Sequence, residues 1–301
     1  MKGNAPLVTI GIPTYNRALL VRRAIDSALA QDYPQIEVIV SDNASADGTE
    51  QACHERMATD SRLRYVRQAR NIGATRNFEE VLRLASGGYF MWLGDDDWID
   101  PNYVRLCLGV LADDAGMALV GGVPHYYERG VGKGPGQSLS LAQHAWWRRV
   151  LAYFWQVRDN GIFYGMARTE AQRGLLPIRN VMAGDWLHIA GLTSKGRVCT
   201  IDSTCVHREL GGATTSFAQI ARSLGLHPVV GRLPFSFIAL AAFVDIAWRH
   251  RGYRDHGPTA RYSLAVFVAF CLICRGAIVA SAPARMACRR AISALSFRPG
   301  G

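Results

Sequence analysis

The sequence lacks most of what marks a secreted or repeat-built protein. Its first residues, MKGNAPLV, contain no apolar signal core, so we expect no export. Its seven cysteines are scattered and odd in number, which excludes a paired disulfide framework and predicts a reducing compartment. One CxxC, Cys271 and Cys274, has no second pair nearby, so we interpret both as small buried side chains. No internal repeat is present, which excludes a repeat architecture.

Acidic side chains are scarce relative to basic ones. The chain has 24 Asp and Glu against 34 Lys and Arg, which gives a net charge of +10. That balance suits nucleic acid, an anionic membrane or a phosphorylated ligand, and it does not choose among them. The 301 residues are enough for one α/β core with about a quarter of the chain left over.

What is present begins with alternating strand and helix patterns over 1–125. Apolar runs such as LVTIGIPTY, EVIVSDNAS and YFMWL predict strands, and stretches with helical spacing separate them. MALVGGV at 117–123 predicts a fifth strand, and the Gly-rich stretch at 126–145 predicts a mobile loop. Strands joined by helices indicate parallel βαβ units, so the expected fold class is α/β, with an open, mostly parallel sheet flanked by helices.

Three polar clusters fall at the ends of predicted strands. In an open α/β sheet, ligands bind beyond the carboxyl ends of the strands. We therefore expect the three clusters to meet on one rim of the sheet. They are Thr14-Tyr15-Asn16-Arg17, Asp42-Asn43 and Asp95-Asp96-Asp97.

The sequence LGDDDWIDP at 93–101 places three adjacent aspartates after an apolar strand. Asp100, directly before a proline, suits a helix N-cap, but capping does not require Asp95, Asp96 and Asp97. Neighbouring carboxylates repel one another, and Mg²⁺ or Mn²⁺ is a natural counter-ion that keeps open positions for a phosphate-bearing ligand. The triplet therefore predicts a metal–phosphate site.

Four motifs taken together resemble one known family. They are IPTYNR at 12–17, SDNASADGT at 41–49, NIGATRN at 71–77, and the aspartate triplet followed by Pro101. In this order they are similar to the family 2 glycosyltransferases of GT-A fold, over about residues 6–210. The resemblance implies inverting transfer of a sugar from a nucleotide-sugar donor, with a divalent ion.

The resemblance also implies roles for single residues. The turn Pro13-Thr14-Tyr15-Asn16 would line the pocket for the nucleotide base. Asp42 would hydrogen-bond the base or the ribose of the donor.

Further along the chain, the resemblance places Arg76 near the base and diphosphate, Asp95 by the ribose, and Asp96 on the metal. Many members carry Asp where this chain has Gly94, and Asp95 and Asp97 form the literal DxD. The register is therefore open by one residue, and all three carboxylates of the triplet are candidate metal ligands.

Inverting transfer needs a base that removes the proton of the acceptor hydroxyl. Gly184-Asp185-Trp186 falls where related enzymes carry an acidic-Asp-Trp sequence, so the resemblance implies that Asp185 is the base. Capping of the following helix is another role open to Asp185. Asp159 and Glu170 are the less favoured alternatives for the base.

Two weaker patterns complete the candidate site. His207 and Arg208, ahead of GGATTS, resemble the late segment that folds over the donor diphosphate in relatives, and a surface turn is the alternative. Trp146, Trp147 and Trp155 have helical spacing, which favours core positions over stacking on acceptor sugars.

The end of the chain contains two strongly apolar stretches, 235–248 and 263–282, with a basic hairpin between them and arginines after them. The second stretch is long enough to span a bilayer but carries Arg275. We predict helices that lie in or on an anionic membrane interface. Packing on the soluble domain and true spanning are the alternatives.

These patterns divide the chain into a GT-A domain at 1–215 and a helical, basic, membrane-associating region at 216–301. Within the domain, 1–125 would bind the nucleotide and 126–215 the acceptor. The expected protein is a metal-dependent inverting glycosyltransferase of surface polysaccharide synthesis, acting on a glycan or lipid-linked acceptor. It would lie in the cytoplasm at the inner face of the cytoplasmic membrane.

Three rival functions are open to the sequence. Transfer onto a polyprenyl phosphate uses the same donor chemistry with an acceptor that is already anionic. A sugar-1-phosphate nucleotidyltransferase is disfavoured, because no Gly-rich GxGTRxxP loop follows the first strand. A basic membrane- or nucleic-acid-binding module is disfavoured because an aspartate triplet repels phosphates without a metal, and we expect no nucleic-acid partner.

Overall fold

The computed structural model of the chain describes residues 5–210, 216–249 and 251–295, with side chains up to residue 281. Ten strands in these residues form two sheets. The strands are β1 (Val8–Thr14), β2 (Ile36–Asp42), β3 (Leu63–Arg67), β4 (Tyr89–Trp92), β5 (Trp98–Ile99), β6 (Met117–Glu128), β7 (Val131–Pro135), β8 (Ser140–Leu141), β9 (Ala167–Arg168) and β10 (Arg197–Leu210).

Helices cover the sheets on both sides. A 3₁₀ turn spans Gly161–Tyr164, a π-helical turn spans Asp245–Arg249, and another 3₁₀ turn spans Arg251–Tyr253. The α-helices are α1 (Ala18–Leu29), α2 (Thr49–Met57), α3 (Ala74–Leu84), α4 (Tyr103–Asp113), α5 (Trp146–Gln156), α6 (Thr169–Arg173), α7 (Gly184–Lys195), α8 (Phe217–Ser223), α9 (Pro228–Arg232), α10 (Pro234–Val244) and α11 (Pro258–Leu295).

The first sheet has the strand order β3-β2-β1-β4-β9, and its first four strands are parallel. Every residue of β1 is buried, because helices cover both faces of this central strand. A Cβ on Gly11 of β1 would lie 2.9 Å from the Phe90 ring and from Val81, so the glycine lets α3 and β4 pack closely. These contacts fix the strand ends that carry the polar clusters.

The second sheet has the order β5-β10-β6-β7, with β8 also beside β10. Its long strands β6 and β10 run parallel, and β5, β7 and β8 pair antiparallel. The α/β fold class predicted from the sequence is confirmed. The pairing at the sheet edges is more antiparallel than the sequence predicted.

The Gly-rich stretch 126–145 contains a β-hairpin, which contradicts the irregular loop or linker that the sequence predicted. Strand β6 continues to Glu128 and pairs with β7 as a hairpin. Arg129 and Gly130 between them have φ of 53° and 76°, the left-handed conformations that a tight hairpin turn requires. The glycines in this stretch therefore serve the turn and the strand and are no sign of disorder.

The C-terminal helices pack on the rest of the molecule. Helix α10 packs against α11, and α11 lies along α5. The Arg275 guanidinium donates to the carbonyl of Phe154 and, at 2.6 Å, to that of Val157, at the end of α5. The side chains of the arginines at 285, 289, 290 and 298 lie outside the described residues.

The outer face of these helices is apolar and exposed. By length and composition, Pro258–Ser281 could cross a membrane, with a mean hydropathy of 2.3, and 28% of it is buried against the protein. A single helix of this kind is weak evidence for spanning. The large apolar side chains on this face are 54–66% exposed and comprise Trp155, Leu240, Val266, Phe267, Phe270 and Ile273.

Candidate active site

The three predicted polar clusters meet at the carboxyl ends of β1, β2 and β4. Thr14 pairs with Asp42 in the parallel register of β1 and β2. The Thr14 hydroxyl donates to Asp95 Oδ2 at 2.8 Å, and the Asn43 amide donates to the Thr14 carbonyl at 2.9 Å. The prediction of one shared rim thus agrees with the contacts between these segments.

The turn after β1 is held in a left-handed conformation at Asn16, where φ is 53°. Its amide N–H donates to Ser45 Oγ at 2.8 Å, and its Oδ1 accepts from the Ala46 amide at 2.8 Å. Tyr15 and Asn16 are exposed on the rim, whereas Pro13 and Thr14 are buried at the strand end. A ligand above this turn would meet the first pair and not the second.

Asp42 corrects one sequence expectation. Its carboxylate is fully buried: Oδ1 accepts from Ser45, and Oδ2 accepts from the Tyr65 hydroxyl at 2.6 Å. The predicted direct contact with a base or ribose is not supported, because no atom of Asp42 is exposed to a ligand. Asp42 instead fixes the turn that presents Asn16 and Ser45.

Helix α3 brings the NIGATRN segment to the same rim. The Asn77 side chain is buried and bonds both Ser41 Oγ at 2.7 Å and the Ser41 carbonyl at 2.8 Å. Arg76, one residue earlier, is exposed, so its guanidinium is accessible to an anion. Thr75 donates to Asn180 Oδ1 at 3.1 Å, which ties this helix to the turn before α7.

The three aspartates of the triplet have different surroundings. Asp95 is bound by Thr14, while Asp96 lies 3.4 Å from the Arg17 guanidinium. Burial, followed by repulsion from Asp96, raises the pKa of Asp95 to about 6. Burial raises the pKa of Asp97 to about 7, although Arg208 opposes the shift. The triplet is therefore short of positive charge.

Gly94 explains the position of Asp97. A Cβ on residue 94 would lie 2.6 Å from Asp97 Oδ2, so the glycine makes room for this carboxylate to fold back against the strand end. Asp97 Oδ1 accepts from the Glu209 amide at 3.3 Å. In the described part of the chain, Asp97 Oδ2 is buried without a hydrogen bond. An aspartate at 94 would displace the Asp97 side chain.

The donor set at this rim fits a hard divalent ion only in combination with a ligand. No group of three His, Cys, Asp or Glu side chains in the described residues is arranged to hold an ion alone. The rim does offer carboxylate oxygens with raised pKa values and one buried, unbonded oxygen, Asp97 Oδ2. Mg²⁺ commonly takes one or two carboxylates and completes its coordination with substrate phosphates.

Asp100 does not cap α4 as predicted. The helix begins at Tyr103 after Asn102, without a side-chain cap. The Asp100 carboxylate instead accepts from the Cys205 amide at 2.8 Å and lies 2.7 Å from His207 Nε2. It therefore joins β5 to β10.

His207 also departs from its predicted role. Its Nδ1 lies 3.1 Å from the Tyr127 hydroxyl, and its ring stacks on Trp98 with 5.1 Å between centroids. Both ring nitrogens are thus engaged within the protein, and the predicted contact with a diphosphate is not supported. Residues 211–215 of the following GGATTS segment lie outside the described residues.

Arg208 lies at the centre of the site. Its Nε is 3.6 Å from Asp97 Oδ2, and its Nη1 donates to the Tyr126 hydroxyl at 3.3 Å and the Asp159 carbonyl at 3.4 Å. Its guanidinium also lies 4.7 Å from the centroid of the Tyr164 ring. Burial opposes the charged form, but Tyr164 and Asp97 outweigh it and raise the pKa of Arg208.

Asp185 lies in the first turn of α7, so it occupies a helix N-terminus without being the N-cap, which is Ala183. Its Oδ2 accepts from Asn160 Nδ2 at 2.7 Å, and Asn160 Oδ1 in turn accepts from the Tyr153 hydroxyl at 2.7 Å. Burial raises the pKa of Asp185, and the Asn160 hydrogen bond opposes this. A carboxylate held this way is oriented and readily accepts a proton.

The metal-site and base candidates are close to one another. Asp97, Asp96 and Asp185 all raise the pKa of the buried Tyr164 hydroxyl, and Arg208 lowers it. Arg208 links them: its Nε lies 3.6 Å from Asp97 Oδ2, and its Nη1 donates to the carbonyl of Asp159, the neighbour of the Asn160 that holds Asp185.

The alternative bases have other roles. Both oxygens of Asp159 accept backbone N–H groups, from Gln137 at 3.0 Å and Gly161 at 3.1 Å. Glu170 is exposed and pairs with Arg173 at 2.9 Å. Both carboxylates are therefore already engaged within the protein.

The tryptophans of α5 divide into two groups. Trp146 stacks on His256 with 3.7 Å between centroids, so it is part of the packing between α5 and the C-terminal region. Trp147 and Trp155 are 42% and 54% exposed, which contradicts the prediction of core positions for these two. Their exposure follows from the apolar outer face described above.

The sequence reasoning assigned no role to several residues of the cleft. Arg17 belongs to the quoted motif IPTYNR, so its pattern was visible. Asn160 gives no signal, because it lies in a loop with φ of 49° and meets Asp185 through folding alone. Tyr126, Tyr164 and Arg23 likewise reach the site from separate elements.

A mostly parallel sheet with a carboxylate-rich rim and a second sheet beside it agree with a GT-A type of fold. The mannosyltransferase PcManGT from Pyrobaculum calidifontis, in complex with GDP-Man and Mn²⁺, superposes with a TM-score of 0.60 at 18% identity, over 99% of this chain and 82% of that one. TarS 1–349 of S. aureus gives 0.58 at 15% identity, over 87% and 70%. Identities this low show the fold alone.

The family follows from the sequence comparison. The model of glycosyl transferase family 2 matches residues 9–169, more than half of the chain, so the chain belongs to this family.

Two relatives show how much of the chain is shared. A chondroitin synthase of Escherichia coli is 36% identical over 116 residues, which is 38% of this chain and 17% of the synthase. The putative colanic acid biosynthesis glycosyl transferase WcaA of E. coli K12 is 36% identical over 108 residues, 36% of this chain and 38% of that protein. The matched part thus spans well under half the length of either relative.

Proposed function

We propose that the protein is an inverting glycosyltransferase that moves a sugar from a nucleotide-sugar donor to an acceptor hydroxyl. One observation supports the proposal: Arg208 lies 3.6 Å from Asp97 and 4.7 Å from the Tyr164 ring, and it donates to the Asp159 carbonyl beside Asn160, which holds Asp185. A donor diphosphate needs cationic partners, and an attacking hydroxyl needs a base. Arg208 would be one cationic partner of the diphosphate, and Asp185 would be the base.

Donor binding is assigned to the exposed part of the rim. Tyr15 and Asn16 would contact the nucleotide, and Arg76 and Arg208 would contact the diphosphate. The structures with related fold support this choice of ligand, because TarS was solved with UDP and with UDP-GlcNAc, and PcManGT with GDP-Man.

The residues at the triplet fit Mg²⁺ or Mn²⁺ held by Asp96 and Asp97, with Asp95 beside them on the ribose side. Bound there, a divalent ion would offset the negative charge that develops on the leaving diphosphate. The raised pKa values of Asp95 and Asp97 support this assignment, since burial and then the neighbouring carboxylates raise them, and a bound cation would favour the ionised forms.

Asp185 would be the base. As the acceptor oxygen bonds to the anomeric carbon and the nucleoside diphosphate leaves from the opposite face, the acceptor proton would pass to the Asp185 carboxylate. Asn160 donates to one carboxylate oxygen at 2.7 Å and would hold the group in place as it accepts the proton. Because burial raises the pKa of Asp185, activity would fall as the pH drops through a value above that of an ordinary aspartate.

The acceptor would be a glycan or a lipid-linked glycan of surface polysaccharide synthesis, and the WcaA relative, which is named for colanic acid biosynthesis, supports a role in polysaccharide synthesis. We divide the chain into the catalytic domain 1–215 and a region 216–301 that would hold it at the inner face of the cytoplasmic membrane. The exposed apolar face of α11 supports this location. Arg275 faces α5, so a peripheral arrangement agrees better with the structure than a spanning one.

Thermal unfolding with UDP, GDP and other nucleoside diphosphates, with and without Mn²⁺, tests the proposed function. We expect one nucleotide to raise Tm by several degrees only when Mn²⁺ is present, because ligand binding stabilises the folded state. Stabilisation by no nucleotide in the presence of the ion would overturn the donor assignment. Steep loss of polynucleotide binding with salt, without any ion requirement, would favour a nucleic-acid-binding protein instead.

A further inference from the structure

A groove of about 310 Å³ lies on the C-terminal side of the molecule, apart from the cleft. The turn before α7 forms one wall, and the segment from α9 through α10 forms the other. Its lining is apolar apart from two arginines, Arg179 and Arg249. The apolar side chains include Val181, Met182, Leu226, Val230, Leu240 and Val244.

The charge in this groove is concentrated at one end. Arg179 pairs with the buried Asp245 carboxylate at 2.9 Å, which holds the guanidinium in place. Asp245 and Arg249 begin and end one π-helical turn, and Arg179 and Arg249 line the same groove, so both arginines lie close to this carboxylate. Two cations and one anion leave net positive charge. Arg249 is exposed, and its guanidinium makes no ion pair in the described part of the chain.

The groove wall is continuous with the turn that carries Asp185. The Gly184 amide donates to the Val181 carbonyl at 3.0 Å. A Cβ on Gly184 would lie 1.9 Å from the Arg179 carbonyl oxygen, so the turn from 179 to 184 is tightly closed. A molecule in the groove therefore touches the same turn that ends at Asp185.

The chemistry of the lining selects the occupant. A nucleotide or free sugar needs polar partners along its length, and the described lining offers them only at the arginines. An apolar chain with one terminal anion matches an apolar groove that has guanidinium groups at one end.

We propose that this groove binds a lipid phosphate, with the chain against Leu240 and Val244 and the phosphate between Arg179 and Arg249. The lipid would be the anchor of the acceptor, which rests on the proposed glycosyl transfer, and it would bring the acceptor hydroxyl to Asp185. The occupant is a single acceptor lipid and not the bulk phospholipid of the bilayer.

Binding of dodecyl phosphate to the full-length chain, below its micelle concentration, tests this proposal by calorimetry. Dodecyl maltoside and inorganic phosphate supply the chain and the anion separately. We expect dodecyl phosphate to bind more tightly than either, and Arg249→Gln to weaken it by about tenfold, as for the loss of one charge-assisted contact. Arg249 is exposed, so this variant should fold even where Arg179→Gln does not.

Two matched controls complete the design. Arg254→Gln removes an exposed arginine outside the groove and should leave binding unchanged. Leu240→Asp places a charge on the apolar wall and should weaken both dodecyl ligands, whereas Leu233→Asp, exposed but outside the lining, should not. Equal binding of dodecyl phosphate and dodecyl maltoside, or equal loss in Arg249→Gln and Arg254→Gln, would overturn the proposal.

Two further measurements distinguish the proposed lipid site from binding to the bulk bilayer and from a failure of the proposed donor binding. Vesicles of phosphatidylglycerol should bind Arg249→Gln as well as the unaltered chain, and an equal loss there would assign the groove to the bulk bilayer. Nucleotide-dependent Tm shifts should persist in Arg249→Gln. If the unaltered chain showed no nucleotide-dependent Tm shift, donor binding would be refuted, and the dodecyl phosphate result would still stand.

Discussion

Asp97 at the rim is buried and Arg275 in helix α11 is half-buried, but only Arg275 has protein hydrogen-bond partners for its charged group on the packed side. Arg275 donates to two carbonyls at the end of α5 and lies 5.5 Å from the Trp186 ring. Asp97 has a buried oxygen without a hydrogen bond, and an arginine at 3.6 Å.

The difference teaches how to separate function from structure among buried charges. A buried charge whose hydrogen bonds are complete stabilises packing, and its removal leaves its partners unsatisfied. A buried carboxylate whose pKa is raised to about 7 despite a neighbouring arginine can be stabilised further by a bound divalent ion. The cleft and the C-terminal helices therefore predict opposite responses to mutation.

The largest expected effect belongs to Asp185 in the cleft. Asp185→Asn keeps the hydrogen-bonding shape but removes the base, so we expect transfer to a hydroxyl acceptor to fall by about 10²–10⁴-fold. Nucleotide binding, measured by the Mn²⁺-dependent Tm shift, should persist. Retention of transfer to a polyprenyl phosphate in this variant would favour that acceptor, which needs no base.

Arg275 should show the opposite pattern. Arg275→Leu leaves the carbonyls of Phe154 and Val157 without their donor, so we expect a loss of about 2 kcal/mol in the free energy of unfolding, as for unsatisfied buried groups. Urea unfolding measures this loss. Arg254→Leu, at an exposed position, should cost little. A variant that loses nucleotide binding while keeping its stability would contradict the structural role of Arg275.

A smaller effect on activity is expected at Asn160, the hydrogen-bond donor to Asp185. Its hydrogen bond lowers the pKa of Asp185, so Asn160→Ala should raise that pKa further and move the acidic limb of the pH–rate profile upward. The variant leaves the other titratable and charged groups around Asp185 unchanged. They are Tyr153, Tyr164, Arg208 and Arg275.

We expect kcat for Asn160→Ala to fall about tenfold at neutral pH and to recover as the pH rises. Asn160→Gln tests whether the amide alone is enough. A drop in kcat that is equal at every pH would show that Asn160 only supports the loop.

Much of the fold and of the rim was predictable, because both depend on local patterns. Apolar runs marked the parallel strands, and IPTYNR, SDNAS and the triplet marked their ends. The carboxyl ends of parallel strands lie at the same edge of a sheet, so the predicted strand order was enough to place Thr14 near Asp95.

The predicted roles of Asp42, Asp100 and His207 are not supported for a common physical reason. Each side chain is held by a contact with a segment that is distant in the sequence. Asp42 accepts a hydrogen bond from Tyr65, and Asp100 accepts one from the Cys205 amide. Both ring nitrogens of His207 have hydrogen-bond partners in the protein. No spacing rule reports which oxygen of a carboxylate is already bonded.

The sequence by itself determined the family, the α/β class and the residues that could carry the chemistry, because these follow from residue types at fixed spacings. The tertiary structure alone decided which of them act together. In the folded chain Asp42 is buried, and Asp97 packs against Gly94. Asn160 donates a hydrogen bond to Asp185, and Arg275 donates to a carbonyl at the end of α5. The reason is that burial and hydrogen-bond partners, which set pKa values and accessibility, arise only when separate elements pack.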